Sequence, residues 1–288
     1  MRYMQYASAI ALLLASGVTH ADIGLDASLA AFADSESGSS FDIDASISPR
    51  DWLTLGVGLG RSESADDRAS LEGDAFRASA GVHSNRFGLR GYFRKWSDSG
   101  EFESETLGAR AYLNHERFTF ELIAEAVSLG VDFALTQGNR SLEVHREFDG
   151  TGFGASLSYF GARWSGYAEA VTYDYDRVLE QIITISRGPN VARFPRFQFL
   201  IDSVLTLTQG ALDYHISGGV ERSLGRSAIL LDVLSAKDAV DGRQTHSVSA
   251  GYRYSLSRHV DFEVTLGASD TDELGSIGFG GLTLSLHR

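Results

Sequence analysis

One pattern limits what this chain can fold into more than any other. Apolar and polar residues alternate with a period of two, and the alternation is renewed from near residue 23 to near residue 286. It is clearest over residues 86–126. There Phe87, Leu89 and Phe93 fall on one face with Gly91 between them, and Gly88, Arg90, Tyr92 and Arg94 fall on the other. Leu107, Ala109, Ala111 and Leu113 then alternate with Thr106, Gly108, Arg110 and Tyr112. After a tight turn at Asn114, His115 and Glu116, Phe118, Phe120, Leu122, Ala124 and Ala126 alternate with Thr119, Glu121, Ile123 and Glu125. Successive strand side chains point to opposite sides, so each segment is a strand with one apolar and one polar face. The polar face mixes charge with small residues, which suits a water-filled interior better than the outside of a soluble sheet.

The same unit recurs along the chain. Short turns near residues 48–51, 84–85, 161–163, 224–226 and 257–259 alternate with longer polar stretches near 62–70, 137–140, 236–243 and 269–275. Glycines are spread through the strands, and Gly56, Gly58 and Gly60 keep one wall low beside bulky neighbours. Their spacing is wrong for phosphate binding, and no helix follows them. Gly280 and Gly281 mark a shift of apolar phase in the last strand, where a bulge is expected. Residues 178–210 hold Pro189 and Pro195 and fit three readings: extended strands, an extra hairpin, or a segment folded into a pore. With three prolines, no linker and no low-complexity tract, residues 22–288 read as one domain.

Residues 1–21 have the parts of a secretory signal: Arg2, an apolar run, and small residues ending at Ala21. The run is shorter than the ~20 residues of a membrane helix. There is no cysteine, so no disulfide or thiolate metal site is available. A net charge of −13 excludes a nucleic-acid partner. No motif calls for a cofactor.

The periodicity, the strand lengths of ~10 residues and the alternation of short turns with longer loops resemble bacterial outer-membrane β-barrel proteins. In length the chain resembles the small monomeric porins. The exposed ends of the short turns carry Trp52, Phe87, Phe118, Tyr159, Phe160 and Trp164, where an interfacial girdle would lie. Such proteins usually end in an aromatic residue, whereas the last phenylalanine here is Phe279. The resemblance implies a transmembrane antiparallel up-and-down barrel of fourteen strands, with twelve to sixteen possible. It also implies export through the periplasm to the outer membrane of a Gram-negative-type cell. Outer-membrane lipid and lipopolysaccharide, the barrel-assembly machinery and small polar solutes are the implied partners.

On the inner face the pattern places Arg77, Arg90, Arg94 and Arg110 on neighbouring strands, so that four cations share a wall. Acids on other strands share that face: Asp26, Asp42, Asp44, Glu121, Glu125, Glu169, Asp213, Asp232, Asp261 and Glu263. Opposed charged walls would set a transverse field across a pore, which orients polar solutes and selects ions. A porin-like channel for passive diffusion of small polar or charged solutes is therefore expected. The alternative is a closed structural barrel or the docking partner of an export system. A lipid hydrolase on the outer face is the remaining enzyme class. His246 is outward, but its same-face neighbour is Val248, and no Ser–His–Asp arrangement stands out. Asp270, Thr271, Asp272 and Glu273 lack the glycine and spacing of a calcium loop, so no metal site is expected.

Overall fold

A computed structural model of the chain describes residues 24–35, 38–66, 69–98, 102–137, 140–175, 211–239, 242–272 and 275–287. The signal-peptide reading of residues 1–21 and the three readings of 178–210 lie outside the described residues. The first seven strands are β1 (Gly24–Asp34), β2 (Ser39–Arg50), β3 (Leu53–Asp66), β4 (Ala69–His83), β5 (Phe87–Asp98), β6 (Phe102–His115) and β7 (Phe118–Gln137). The second seven are β8 (Arg140–Phe160), β9 (Trp164–Tyr175), β10 (Leu212–Ser223), β11 (Ser227–Asp238), β12 (Gln244–Ser257), β13 (Val260–Thr271) and β14 (Gly275–His287). Each strand pairs antiparallel with its neighbour in chain order, and β1 pairs with β14 to close the barrel. The fourteen-stranded reading of the sequence is met.

The alternation decides which solvent meets which face. Leu53, Leu55, Val57 and Leu59 of β3 point outward, as do Phe118, Phe120 and Leu122 of β7. Leu122 is 69% exposed, and Leu107 and Leu266 are each 66% exposed. Charged residues instead turn inward, and Glu125 is only 6% exposed. The barrel is thus inverted relative to a soluble sheet. The outward apolar run of β7, residues 118–126, is roughly 30 Å along the strand and, with the ~40° tilt of barrel strands, roughly 23 Å in height, close to the apolar band of a membrane barrel. At the short-turn end Trp52, Phe87, Phe118, Phe160 and Trp164 are exposed, as a girdle requires. Phe118 and Tyr159 lie 5.2 Å apart there, and Arg222 sits 5.3 Å above the Trp164 ring.

At the opposite end the expected polar loops are largely strand. β3 and β4 continue to Asp66 and Ala69, and β7 and β8 to Gln137 and Arg140. Backbone pairing persists where the outward residues turn polar. Arg61 there bonds to Glu63 and Glu72, and Lys95 to Glu103 and Glu105, all beyond the apolar band.

The bulge expected at Gly280 and Gly281 is absent. β13 and β14 keep register from Val260↔Leu286 to Thr271↔Gly275. The change of apolar phase has another cause: Ile277 and Phe279 face the lumen, and Gly278 and Gly280 take the outward positions. Register shifts occur instead between Ile47 and Arg50, Leu212 and Tyr214, and Ser255 and Ser257.

Candidate functional site

The lumenal wall from β2 to β10 is built on glycines. A strand side chain stands roughly perpendicular to its sheet and meets its cross-strand neighbours. A neighbour without a Cβ lets a long side chain lie down across it and reach the next strand but one. Gly58 sits between Asp44 and Arg77 in the register, and a Cβ on it would strike both side chains. Across this gap Arg77 bonds to Asp42 at 2.7 Å and to Asp44 at 3.2 Å. Gly108 is covered by the Tyr92 ring, Gly152 by Tyr173, and Gly150 by Tyr175.

Two of those rings, Tyr92 and Tyr173, lead to a deeply buried carboxylate, Glu125. Glu125 accepts hydrogen bonds from Tyr92, from Tyr173 at 2.8 Å and from Arg94 at 2.8 Å. Its side chain is 2% exposed. A buried carboxylate is tolerated only when paired and hydrogen-bonded, and Glu125 has three donors. Arg110 reaches further. It bonds to Glu121 at 3.4 Å and, three strands away, to Glu169 at 2.8 Å. The Tyr92 ring lies between the two guanidinium groups, 5.3 Å from Arg94 and 5.8 Å from Arg110. His215 approaches Glu169 at 3.3 Å, and Tyr167 donates to Asp232 at 3.1 Å. Toward the long-strand end the same wall turns apolar, with Trp96, Val127, Leu129 and Phe148 packed together beside Tyr173 and Tyr175.

The other wall, from β11 through β14 to β1, carries hydroxyls. Thr245 and Thr271 are 2.9 Å apart, and Ser247 donates to Ser269 at 3.0 Å. Ser249, Thr265 and Ser285 continue this surface along the lumen. Its ion pairs lie near the short-turn end: Arg253 with Glu221 at 2.5 Å, and His287 with Asp26 at 3.0 Å and Asp261 at 3.5 Å.

Among the described residues, two cavities of several hundred cubic ångströms lie in the lumen. The first, about 570 Å³, is bounded by β1–β6 and the end of β14. The second, about 470 Å³, is bounded mainly by β9–β14 with Phe32 of β1. Arg94 and Arg110 line both, so the arginine–carboxylate network is the partition between them. An apolar belt outside, a charged and hydroxylated lumen inside and a closed antiparallel sheet together decide the architecture.

The fold is that of an outer-membrane β-barrel. No protein-family model matches the sequence, and no match to a curated protein was found. Similarity appears in solved structures. The loop L8 deletion mutant of OmpT, an outer membrane protein of Vibrio cholerae, matches with a TM-score of 0.50 at 8% identity, covering 93% of this chain and 98% of that one. OccK8 (OprE) of Pseudomonas aeruginosa matches with a TM-score of 0.44 at 9% identity, covering 92% and 97%. A KdgM porin in complex with disordered oligogalacturonate matches with a TM-score of 0.42 at 10% identity, covering 91% and 98%. At these identities the likeness is one of fold.

Within this outer-membrane barrel fold the charged residues sort differently from the sequence expectation. Arg77, Arg90, Arg94, Arg110, Asp26 and Asp44 all line the first cavity. Asp42 and Glu125 lie on the lumenal face too, but line other spaces. Glu121 stays beside Arg110, Asp261 beside His287, and Glu263 accepts a bond from Thr265 at 3.2 Å. The cations do not face a remote acidic wall. Three of the four take their carboxylates from strands on their own side, and for Arg77 the path runs across Gly58. Asp213 is a correction. The register shift at Leu212/Tyr214 turns it away from the lumen, and it bonds to Lys237 at 2.6 Å. Tyr92, Tyr173, His215, Glu221 and Arg253 belong to the lumenal networks and were not singled out from sequence. Their signal was present, since each occupies a polar-face position of its strand.

His246 faces outward, opposite Asp270 and Ser235 in the register. Asp270 instead accepts a bond from Ser276 at 2.6 Å, and among the described residues His246 has no serine bonded to it. Asp270 is paired within β13 and Asp272 accepts a hydrogen bond from the Gln244 amide at 3.2 Å, whereas Glu273 lies outside the described residues. Among the described residues no cluster of three or more His, Asp or Glu is arranged to hold a metal.

Proposed function

We propose that this chain is a porin-like channel of a bacterial outer membrane, carrying small polar or charged solutes by passive diffusion and performing no covalent chemistry. The observation that supports this reading most strongly is the pair of lumenal cavities, about 570 and 470 Å³, lined by charge and hydroxyls inside an apolar outer belt. The arginine, carboxylate and serine groups that line them can stand in for part of a solute's hydration shell. In this reading the protein is exported across the periplasm after removal of residues 1–21. It is inserted by the barrel-assembly machinery and held among outer-membrane lipid and lipopolysaccharide.

The test is conductance in a planar lipid bilayer. Discrete channel openings are expected from the purified protein. With Arg90→Glu and Arg110→Glu combined, ion selectivity should move toward cations, because the charge at the shared wall is reversed. A protein that inserts and passes no current removes the channel reading. One observation favours the alternative of a closed barrel serving a structural or docking role. Trp96, Leu129 and Phe148, each 5% exposed or less, fill part of the lumen with apolar side chains.

A further inference from the structure

We infer that the first cavity binds a small organic anion, a carboxylate or phosphate carried on a hydroxylated body, with Arg90 as its anchor. The inference rests on the channel reading for how the solute arrives. The site itself rests on three features of the lumen.

The partition between the cavities is polarised. Arg77, Arg94 and Arg110 present guanidinium groups to the first cavity, while Asp42, Glu125 and Glu169, which hold them, line other spaces. Asp26 and Asp44 are the carboxylates that line this cavity among the described residues, and each already has a cationic partner or histidine. The second cavity sets Glu125, Glu169 and Asp232 against Arg94 and Arg110 and so favours an anion less than the first.

Arg90 is the charge left over. It stands directly opposite Arg110 in the β5–β6 register. Like charges in that position repel one another. Arg110 has turned to Glu121 and Glu169, and Arg90 has no carboxylate within 4 Å among the described residues. Arg90 is exposed to the cavity, so its guanidinium keeps the planar donor set that takes carboxylate or phosphate in a bidentate grip.

Around that cation the wall offers hydroxyls without side-chain partners among the described residues: Ser28, Ser46, Ser79 and Ser285. They come from four strands and can exchange hydrogen bonds with a polyhydroxylated body in any orientation. The volume of about 570 Å³ lies within the ~300–1,000 Å³ usual for small-molecule sites.

The experiment is isothermal titration of the detergent-purified full chain with gluconate, glucose 6-phosphate and glucose. Either anion should bind at least about tenfold more tightly than glucose, and raised salt should weaken it. Binding of one anion alone identifies which group Arg90 grips. Arg90→Gln should weaken anion binding by about tenfold or more, and Arg90→Lys should recover only the part that charge alone supplies, with heat-modifiable gel migration unchanged in both. Glucose binding as tightly as the anions, no anion binding, or Arg90→Gln leaving the affinity intact would each overturn the assignment. Conductance without anion binding sinks the site and leaves the channel standing. Anion binding without conductance does the reverse.

Discussion

The two halves of the lumenal wall solve the same problem by different means. From β2 to β10 the inner face is arginine, carboxylate and tyrosine, in places laid across glycines, with Arg94, Arg110, Tyr92, Tyr173, Glu125 and Glu169 clustered together. From β11 round to β1 it is richer in serine and threonine, held by short hydroxyl contacts between adjacent strands, with ion pairs near the short-turn end. The first half buries charge and must satisfy it completely. The second buries one carboxylate, Asp238 at its rim, and leaves hydroxyls such as Ser28 and Ser285 without side-chain partners among the described residues. Polar networks of the first kind are costly when incomplete, so the arginine half should be the brittle one and the hydroxyl half the tolerant one.

That contrast breaks first at Arg94. Arg94→Met removes the cationic partner of Glu125, whose side chain is 2% exposed, and leaves two tyrosines to hold it. A loss of about 3 kcal/mol is expected, near the low end for breaking a buried pair because Arg94 itself is partly exposed. It is measurable as a lower denaturant midpoint of the refolded barrel, and an unchanged midpoint would mean that the network does not carry this half. Gly108→Ala comes next. Its Cβ would meet the Tyr92 ring, lift it from the wall and loosen its bond to Glu125. Overpacking of this kind costs about 1–3 kcal/mol, whereas Gly251→Ala, with its nearest contacts at 3.4 Å, should be far milder. Equal losses at the two glycines would erase the distinction between the walls. The smallest effect is expected at Ser249→Ala in the hydroxyl half, within about 0.5 kcal/mol. A large destabilisation there would show that the serine surface is a network too.

How much of this was written in the sequence follows from which interactions are local. Alternation is local, so the strands, their faces and the closed fourteen-stranded architecture could be read from residues 24–175 and 212–287. Facing was readable for Arg77, Arg90, Arg94 and Arg110 for the same reason. Partnership was not. Whether Arg110 faces Asp261 across the lumen or reaches Glu169 along its own wall depends on side chains crossing several strands, and periodicity does not encode that path. Asp213 failed for a related reason. One added residue at the Leu212/Tyr214 shift inverts the facing of its neighbour, and nothing in the local pattern marks it. Phe279 shows the converse. A bulge is expected at Gly280 and Gly281, but the lumenal position of Phe279 needs only Gly267 opposite it, whose missing side chain makes room for the ring.

The three register shifts sit at Ile47/Arg50, Leu212/Tyr214 and Ser255/Ser257, all at strand ends. A shift in the middle of a ribbon would exchange acyl chains for water along half its length. Changes in chain length are therefore confined to the rims: a residue gained or lost at a turn is absorbed locally, while the same change at Leu122 or Ala250 would turn a whole segment inside out.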